Sequence, residues 1–306
     1  MGTVTLSNPV MTASGTAGHG DELGRYVDLA SLGAVVVKSL SAGPWPGNPA
    51  PRVHETAAGM INSVGLQGPG VERWIEQELP ALLAAGATVV ASIWGRSVDE
   101  YRAAAAALRG APEGVVAVEV NLSCPNLHGH GSSDPSALAG MFAQDAAAAA
   151  AAIEASRVCG RPLWAKLTAN VTSIVAIAES VRDAGAEAVT LINTLPAMSI
   201  DPETRRPRLG AGRGGLSGPA IHPVAVRAVY DVHAALPDLP IIGVGGVATG
   251  RDAVELLLAG AAAVQVGTAS FADPRAAGSV LAELTAWCAR HGVRAVEELI
   301  GGAHGS

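Results

Sequence analysis

The densest run of side chains able to do chemistry is Asn121-Leu122-Ser123-Cys124-Pro125-Asn126. A thiol set between amides suits proton transfer to a ligand whose edges carry donors and acceptors together, because asparagine offers both. Free cysteine is more often a buried, inert thiol. The polar neighbours of Cys124, and the Gly129-His130-Gly131-Ser132-Ser133 run beyond it, favour a reactive one. Lys38, Lys166, Asn193, Ser14 and Ser92 each close or follow an apolar run. Taken singly, each reads as a solvated end. Brought to one place, the two lysines with Asn121 and Asn193 are costly to dehydrate without an anionic or polar ligand. Gly245-Gly246 and Gly267-Thr268 follow two later apolar runs. Glycine lets backbone N–H groups approach phosphate oxygens closely, and a following helix N-terminus adds a favourable dipole. His128 and His130 have no carboxylate or third ligand at useful spacing, so no metal is expected.

These residues need a scaffold that turns them toward one another. Eight apolar runs, at 9–13, 34–38, 88–93, 115–121, 163–167, 188–192, 240–244 and 263–267, are nearly continuous, as parallel strands covered on both faces require. Helical stretches fill the gaps, among them 71–85, 98–109, 135–156, 173–184, 219–235 and 251–259, with Gly or Pro at most junctions. Eight strands alternating with helices predict an α/β chain folded as a (β/α)8 TIM barrel, one domain over residues 1–306. A doubly wound open sheet lacks its glycine fingerprint after the first strand. The reactive positions then fall at the strand C-termini, where barrel enzymes build their sites. Two connections on that side, 39–70 and 193–218, are too long for plain loops and read as lids or substrate walls.

Composition narrows the function classes. A formal charge of -7 argues against a nucleic-acid or anionic-membrane surface. Hydrophobic residues make up 49% of the chain but aromatics only 3%, so Ala, Val, Leu and Ile must fill the core. The mean hydropathy of +0.32 reflects alanine rather than a membrane span. No signal peptide is visible, and three widely spaced cysteines fit a reducing compartment, so the cytoplasm is expected. Cys159 and Cys288 fall in helical stretches and read as structural.

At these residues the chain resembles the class 1 dihydroorotate dehydrogenases, most of all the NAD-linked B-type catalytic subunit. The likeness runs through Asn8-Pro9-Val10-Met11, Ala13-Ser14-Gly15-Thr16, Gly47-Asn48-Pro49 with Pro51-Arg52, and Gly65-Leu66-Gln67. It continues in residues 121–126, Lys166-Leu167-Thr168-Ala169-Asn170-Val171-Thr172, Asn193-Thr194-Leu195 and Gly214-Gly215-Leu216-Ser217-Gly218-Pro219-Ala220-Ile221. The resemblance implies oxidation of dihydroorotate to orotate in pyrimidine biosynthesis, with FMN across the barrel mouth. Its phosphate would rest on Gly245, Gly246, Gly267 and Thr268. Ser14, Lys38, Ser39, Ser92, Asn121, Lys166, Ile192 and Gly218 would hold the remainder, with Lys166 at the pyrimidine part of the ring. Orotate would be held by Lys38, Asn62, Ser63, Val64, Gly65, Leu66, Asn121, Asn126, Asn193 and Thr194. Cys124 would be the catalytic base.

The resemblance also implies a partner subunit bearing FAD and a 2Fe–2S cluster, joined to a homodimer of this chain in a heterotetramer. The chain itself carries neither a cluster-ligand cysteine array nor a dinucleotide fingerprint. A-type relatives work without that partner and reduce fumarate. Three positions depart from the family pattern: Ser92 and Gly68 where asparagine is usual, and Trp45 where arginine is usual. Two other readings stay open. A dihydropyrimidine dehydrogenase-like flavoenzyme typically has histidine where this chain has Asn126. The presence of Cys124, Lys166 and the four amide-edge residues counts against a flavin-binding barrel without turnover.

Overall fold

The computed structural model describes residues 1–123 and 142–305. Eight parallel strands form the barrel: β1 (Val10–Thr12), β2 (Val35–Val36), β5 (Val89–Ile93), β6 (Val115–Asn121), β7 (Leu163–Leu167), β8 (Ala188–Leu191), β13 (Ile241–Val244) and β14 (Ala263–Val266). All eight coincide with the continuous apolar runs. Their order is β1-β14-β13-β8-β7-β6-β5-β2, and a parallel bridge from Met11 to Ala34 brings the two ends together. Around them lie α1 (Val71–Gln77), α2 (Leu79–Ala84), α3 (Val98–Ala107), α4 (Ala146–Ser156), α5 (Ile174–Asp183), α6 (His222–Ala235), α7 (Gly250–Leu258), α8 (Ala269–Ala272) and α9 (Ala276–His291).

The helix starts follow local chemistry. Ser97, Asp145 and Ser173 accept from the backbone N–H three residues on, and Thr249 with Asp252 forms a capping box at α7. The helix expected over 71–85 is two: Pro80 cannot continue the hydrogen-bond ladder, so α1 ends and α2 begins at Glu78. The helix expected over 135–156 is seen from Ala146; residues 135–141 lie outside the described residues. Small buried residues, including Ala104, Ala105, Ala149 and Ala152, form helix faces in a core with few aromatic rings.

Strand alternation sorts the barrel interior into layers. The lower layer is apolar: Met11, Val36, Val90, Ala117, Trp164, Ala188, Ile242 and Ala263. Two residues further along β6, β7, β8 and β14 stand Glu119, Lys166, Thr190 and Gln265, a polar layer inside the protein. Asn121, two residues beyond Glu119, reaches the mouth.

The two long connections meet each other. β3 (Val53–Thr56) and β4 (Gly59–Asn62) come from the first, and β9 (Leu195–Ala197) and β12 (Gly214–Ser217) from the second; they form one antiparallel sheet in the order β3-β4-β12-β9. A two-stranded ribbon, β10 (Ile200–Asp201) with β11 (Arg206–Pro207), extends the second connection.

Candidate active site

A cleft enclosing about 990 Å³, part of it open to solvent, lies at the strand C-termini. Barrel strand ends form its floor, and Met60, Asn62 and Ser217 of the mouth sheet contribute one wall. The two long connections are therefore walls of the cleft.

Its deepest cation is built from the polar layer. Glu119 is fully buried; its Oε2 accepts from Thr190 Oγ1 at 3.1 Å and from Gln265 Nε2 at 2.8 Å. Its Oε1 faces Lys166 Nζ at 3.6 Å. Lys166 is 4% exposed and lines the cleft, so its ammonium is neutralised from below and turned to the ligand space above. Lys38 is the second cation of the cleft. A Cβ on Gly15 would come within 3.2 Å of Lys38 Nζ, so glycine there leaves room for the ammonium. Burial pushes the neighbouring His19 imidazole below its ordinary range, and the Lys38 charge pushes it further in the same direction.

A string of short polar bonds crosses the mouth. Ser14 Oγ lies 3.1 Å from Ser39 Oγ, which lies 2.9 Å from Ser92 Oγ and accepts from Asn121 Nδ2 at 3.0 Å. Asn121 Oδ1 accepts from Asn193 Nδ2 at 3.2 Å, and the same amide donates to Ser123 O at 3.1 Å. Ser123 Oγ donates to Lys166 O at 3.0 Å. Side chains from five strand ends, with the Lys166 carbonyl of a sixth, are fixed by one another, which preorganises them for a planar polar ligand.

The wall at residues 64–66 is shaped by backbone. Gly65 and the non-glycine Leu66 both take positive φ, +71° and +61°. Trp45 Nε1 donates to Gly65 O at 3.0 Å, and the Arg52 guanidinium bonds Asn48 O and Gln67 Oε1. Trp45 thus holds this wall through its indole N–H, at a position where a guanidinium was the residue to expect. At the opposite end are the two glycine pairs. Gly245 and Gly246 have φ of +140° and +70°, and a Cβ on Gly246 would stand 2.9 Å from Gly218 O. Among the described residues, the N–H groups of Gly246, Gly267 and Thr268 donate to no protein acceptor, while that of Gly245 belongs to the β13–β14 ladder. Three unspent donors beside glycines, at the end of a cleft, fit an anionic group such as a phosphate.

Most of the residues expected from sequence line this cleft. Ser63 and Ser92 do not. Ser63 is buried and accepts from Asn48 Nδ2 at 2.9 Å, while Ser92 supports Ser39 from below. Cys124 and Asn126, with His128 and His130, lie outside the described residues. Cys159 is buried, and burial raises both its thiol and that of Cys288, as befits structural cysteines. Sequence reasoning missed Val53, Met60, Ser217 and Phe271 in the lining. No side-chain signal marks them, because they are apolar or small: Val53, Met60 and Ser217 stand in irregularly patterned connections and Phe271 in the short α8. No described helix is long and apolar enough to cross a membrane.

A relative from Desulforudis audaxviator named dihydroorotate dehydrogenase B (NAD(+)), catalytic subunit, is 51% identical over 302 residues, 98% of this chain and 95% of that protein. Relatives of the same name from Geobacter sp. and Trichlorobacter lovleyi are 47% and 45% identical, covering 97% and 100% of this chain and 95% and 97% of their own lengths. A crystal structure of DHODH in complex with ferulenol from Eimeria tenella matches 99% of this chain and 87% of that chain, with a TM-score of 0.79 at 22% identity, a likeness of fold. The dihydroorotate dehydrogenase family model matches residues 1–287, and the chain belongs to that family.

Proposed function

We propose that this chain oxidises dihydroorotate to orotate with FMN as its resident cofactor. Membership of the family implies a flavin. The observation that carries the FMN reading is one cleft with three unspent backbone N–H groups at one end and Lys166 deep within it. The N–H groups suit the phosphate of a mononucleotide, and the ammonium suits the electron-rich pyrimidine side of a flavin. Ser14, Ser39, Asn121, Ile192 and Gly218 would hold the intervening part. When bound, FMN would supply the acceptor for the hydride that leaves C6 of dihydroorotate.

The chain's own groups would do the rest. Lys38, with Asn62 and the backbone of residues 64–66, would take the substrate carboxylate. Asn121, Asn193 and Thr194, joined by Asn126, would read the amide edges. Cys124, as thiolate, would remove the C5 proton. In support, the relatives named as NAD(+)-linked catalytic subunits are about half identical over nearly the whole chain. Their name also supports electron transfer to NAD+ through a second subunit, for which FAD and a 2Fe–2S cluster are the expected carriers. The assembly would be a heterotetramer around a homodimer of this chain, in the cytoplasm.

The test is dye reduction by the purified, FMN-reconstituted chain under two substrates. Dihydroorotate should support turnover and dihydrouracil should not, because dihydrouracil offers no carboxylate to Lys38. Preference for dihydrouracil would transfer the assignment to a dihydropyrimidine dehydrogenase-like activity. Bound flavin with neither substrate oxidised would leave a binding barrel.

A further inference from the structure

At the phosphate end of the cleft the Gly245-Gly246 pair has the most conformational freedom to lose on being ordered, because neither residue has a side chain. Something must hold it. The first residue of α6, His222, is only 9% exposed and lies directly behind the turn: a Cβ on Gly246 would stand 2.7 Å from His222 Cβ. His222 Nδ1 meets Gly245 O at 2.7 Å. A carbonyl only accepts, so Nδ1 carries the proton and donates. The other ring nitrogen, Nε2, lies on the far side of the ring, 3.3 Å from Glu255 Oε2 on α7.

The peptide between Gly245 and Gly246 is trans and planar, so its C=O and N–H point in opposite directions. Drawing the Gly245 carbonyl toward His222 therefore sends the Gly246 N–H away from it. Gly245 and Gly246 line the cleft and His222 does not, so that direction is the ligand side. The Gly246 N–H is one of the unspent donors described above.

We infer that His222 is a positioning residue for the phosphate subsite: its Nδ1–H to Gly245 O bond presets the Gly246 N–H toward the flavin phosphate. The inference rests on the FMN reading. His222 touches no ligand atom; it acts through the peptide it holds, by removing backbone freedom that binding would otherwise have to remove.

The test compares FMN with riboflavin, which has the same ring system and no phosphate. Affinities are read by quenching of flavin fluorescence on the purified apoprotein. In His222→Asn the side-chain amide nitrogen occupies the place of Nδ1 and can still reach the Gly245 carbonyl. In His222→Gln the amide lies one bond further out, where Nε2 was. His222→Gln should weaken FMN binding by about three- to tenfold, the worth of one ordinary hydrogen bond, and leave riboflavin binding unchanged. His222→Asn should retain most of the FMN affinity. Equal losses for both ligands in His222→Gln would mean a merely structural role and overturn the inference. So would unchanged FMN affinity in His222→Gln, or an Asn variant as weak as the Gln variant. A wild-type chain that binds neither flavin fails at the cofactor reading itself, a result distinct from these.

Discussion

Lys166 and Glu119 carry opposite charges inside the barrel, and the chemistry proposed for the cleft depends on that pairing. The pair is almost wholly out of water, with side-chain exposures of 6% and 0%. Such a pair adds little net stability, because desolvation offsets attraction, but removing one member strands the other. Lys166→Met should therefore lower the unfolding free energy by about 3–5 kcal/mol, measured by urea denaturation of the apoprotein. The double variant Lys166→Met, Glu119→Gln should recover much of that loss while still lacking the cation needed by the ligand. A double variant no more stable than Lys166→Met would mean that the two charges are not coupled. At this scale the sequence was informative in one direction. Lys166 was legible because a lysine ending an apolar strand is anomalous. Glu119 is equally anomalous within its strand, yet the partner that makes it tolerable comes from the next strand and two others, contacts that only the closed barrel creates.

The strands of the barrel and those of the mouth sheet differ in how they are encoded. A barrel strand is buried on both faces, so its residues are apolar without interruption and the segment declares itself. The mouth sheet pairs segments more than a hundred residues apart, such as Asn62 with Gly215 and Met60 with Ser217. Its strands mix exposed and half-buried positions: β3 reads Val-His-Glu-Thr, and β12 begins with two glycines. That composition has weak strand preference, so the two connections could be recognised as walls but not as one sheet. Gly59 is the closest approach within it. At φ +153°, a Cβ there would fall 2.0 Å from Ser217 O. Gly59→Ala should push β12 off β4 and cut turnover at least tenfold, with a thermal midpoint changed by no more than a few degrees, because the barrel core is untouched. Turnover close to wild type would show that this wall is not needed for catalysis.

As a whole molecule, the protein places its rigid part and its chemical part on one axis. Apolar side chains fill the lower barrel, a buried polar layer lies above them, and the cleft opens over that layer toward the mouth sheet. The site was legible because contiguous motifs carry most of its residues, each at a strand C-terminus, where fold and function coincide. Ser63, Ser92 and His222 show the limit of that legibility: each acts through a neighbour, and the neighbour is fixed only in three dimensions. The central claim is that this cleft oxidises dihydroorotate at a bound flavin. Its most direct test is an anaerobic titration of the FMN-loaded chain with dihydroorotate, following the visible absorbance of oxidised flavin. The account predicts loss of that absorbance in proportion to added dihydroorotate, complete at one equivalent per flavin, and severe slowing of the same step in Cys124→Ser near neutral pH. Flavin that stays oxidised in excess dihydroorotate would contradict it.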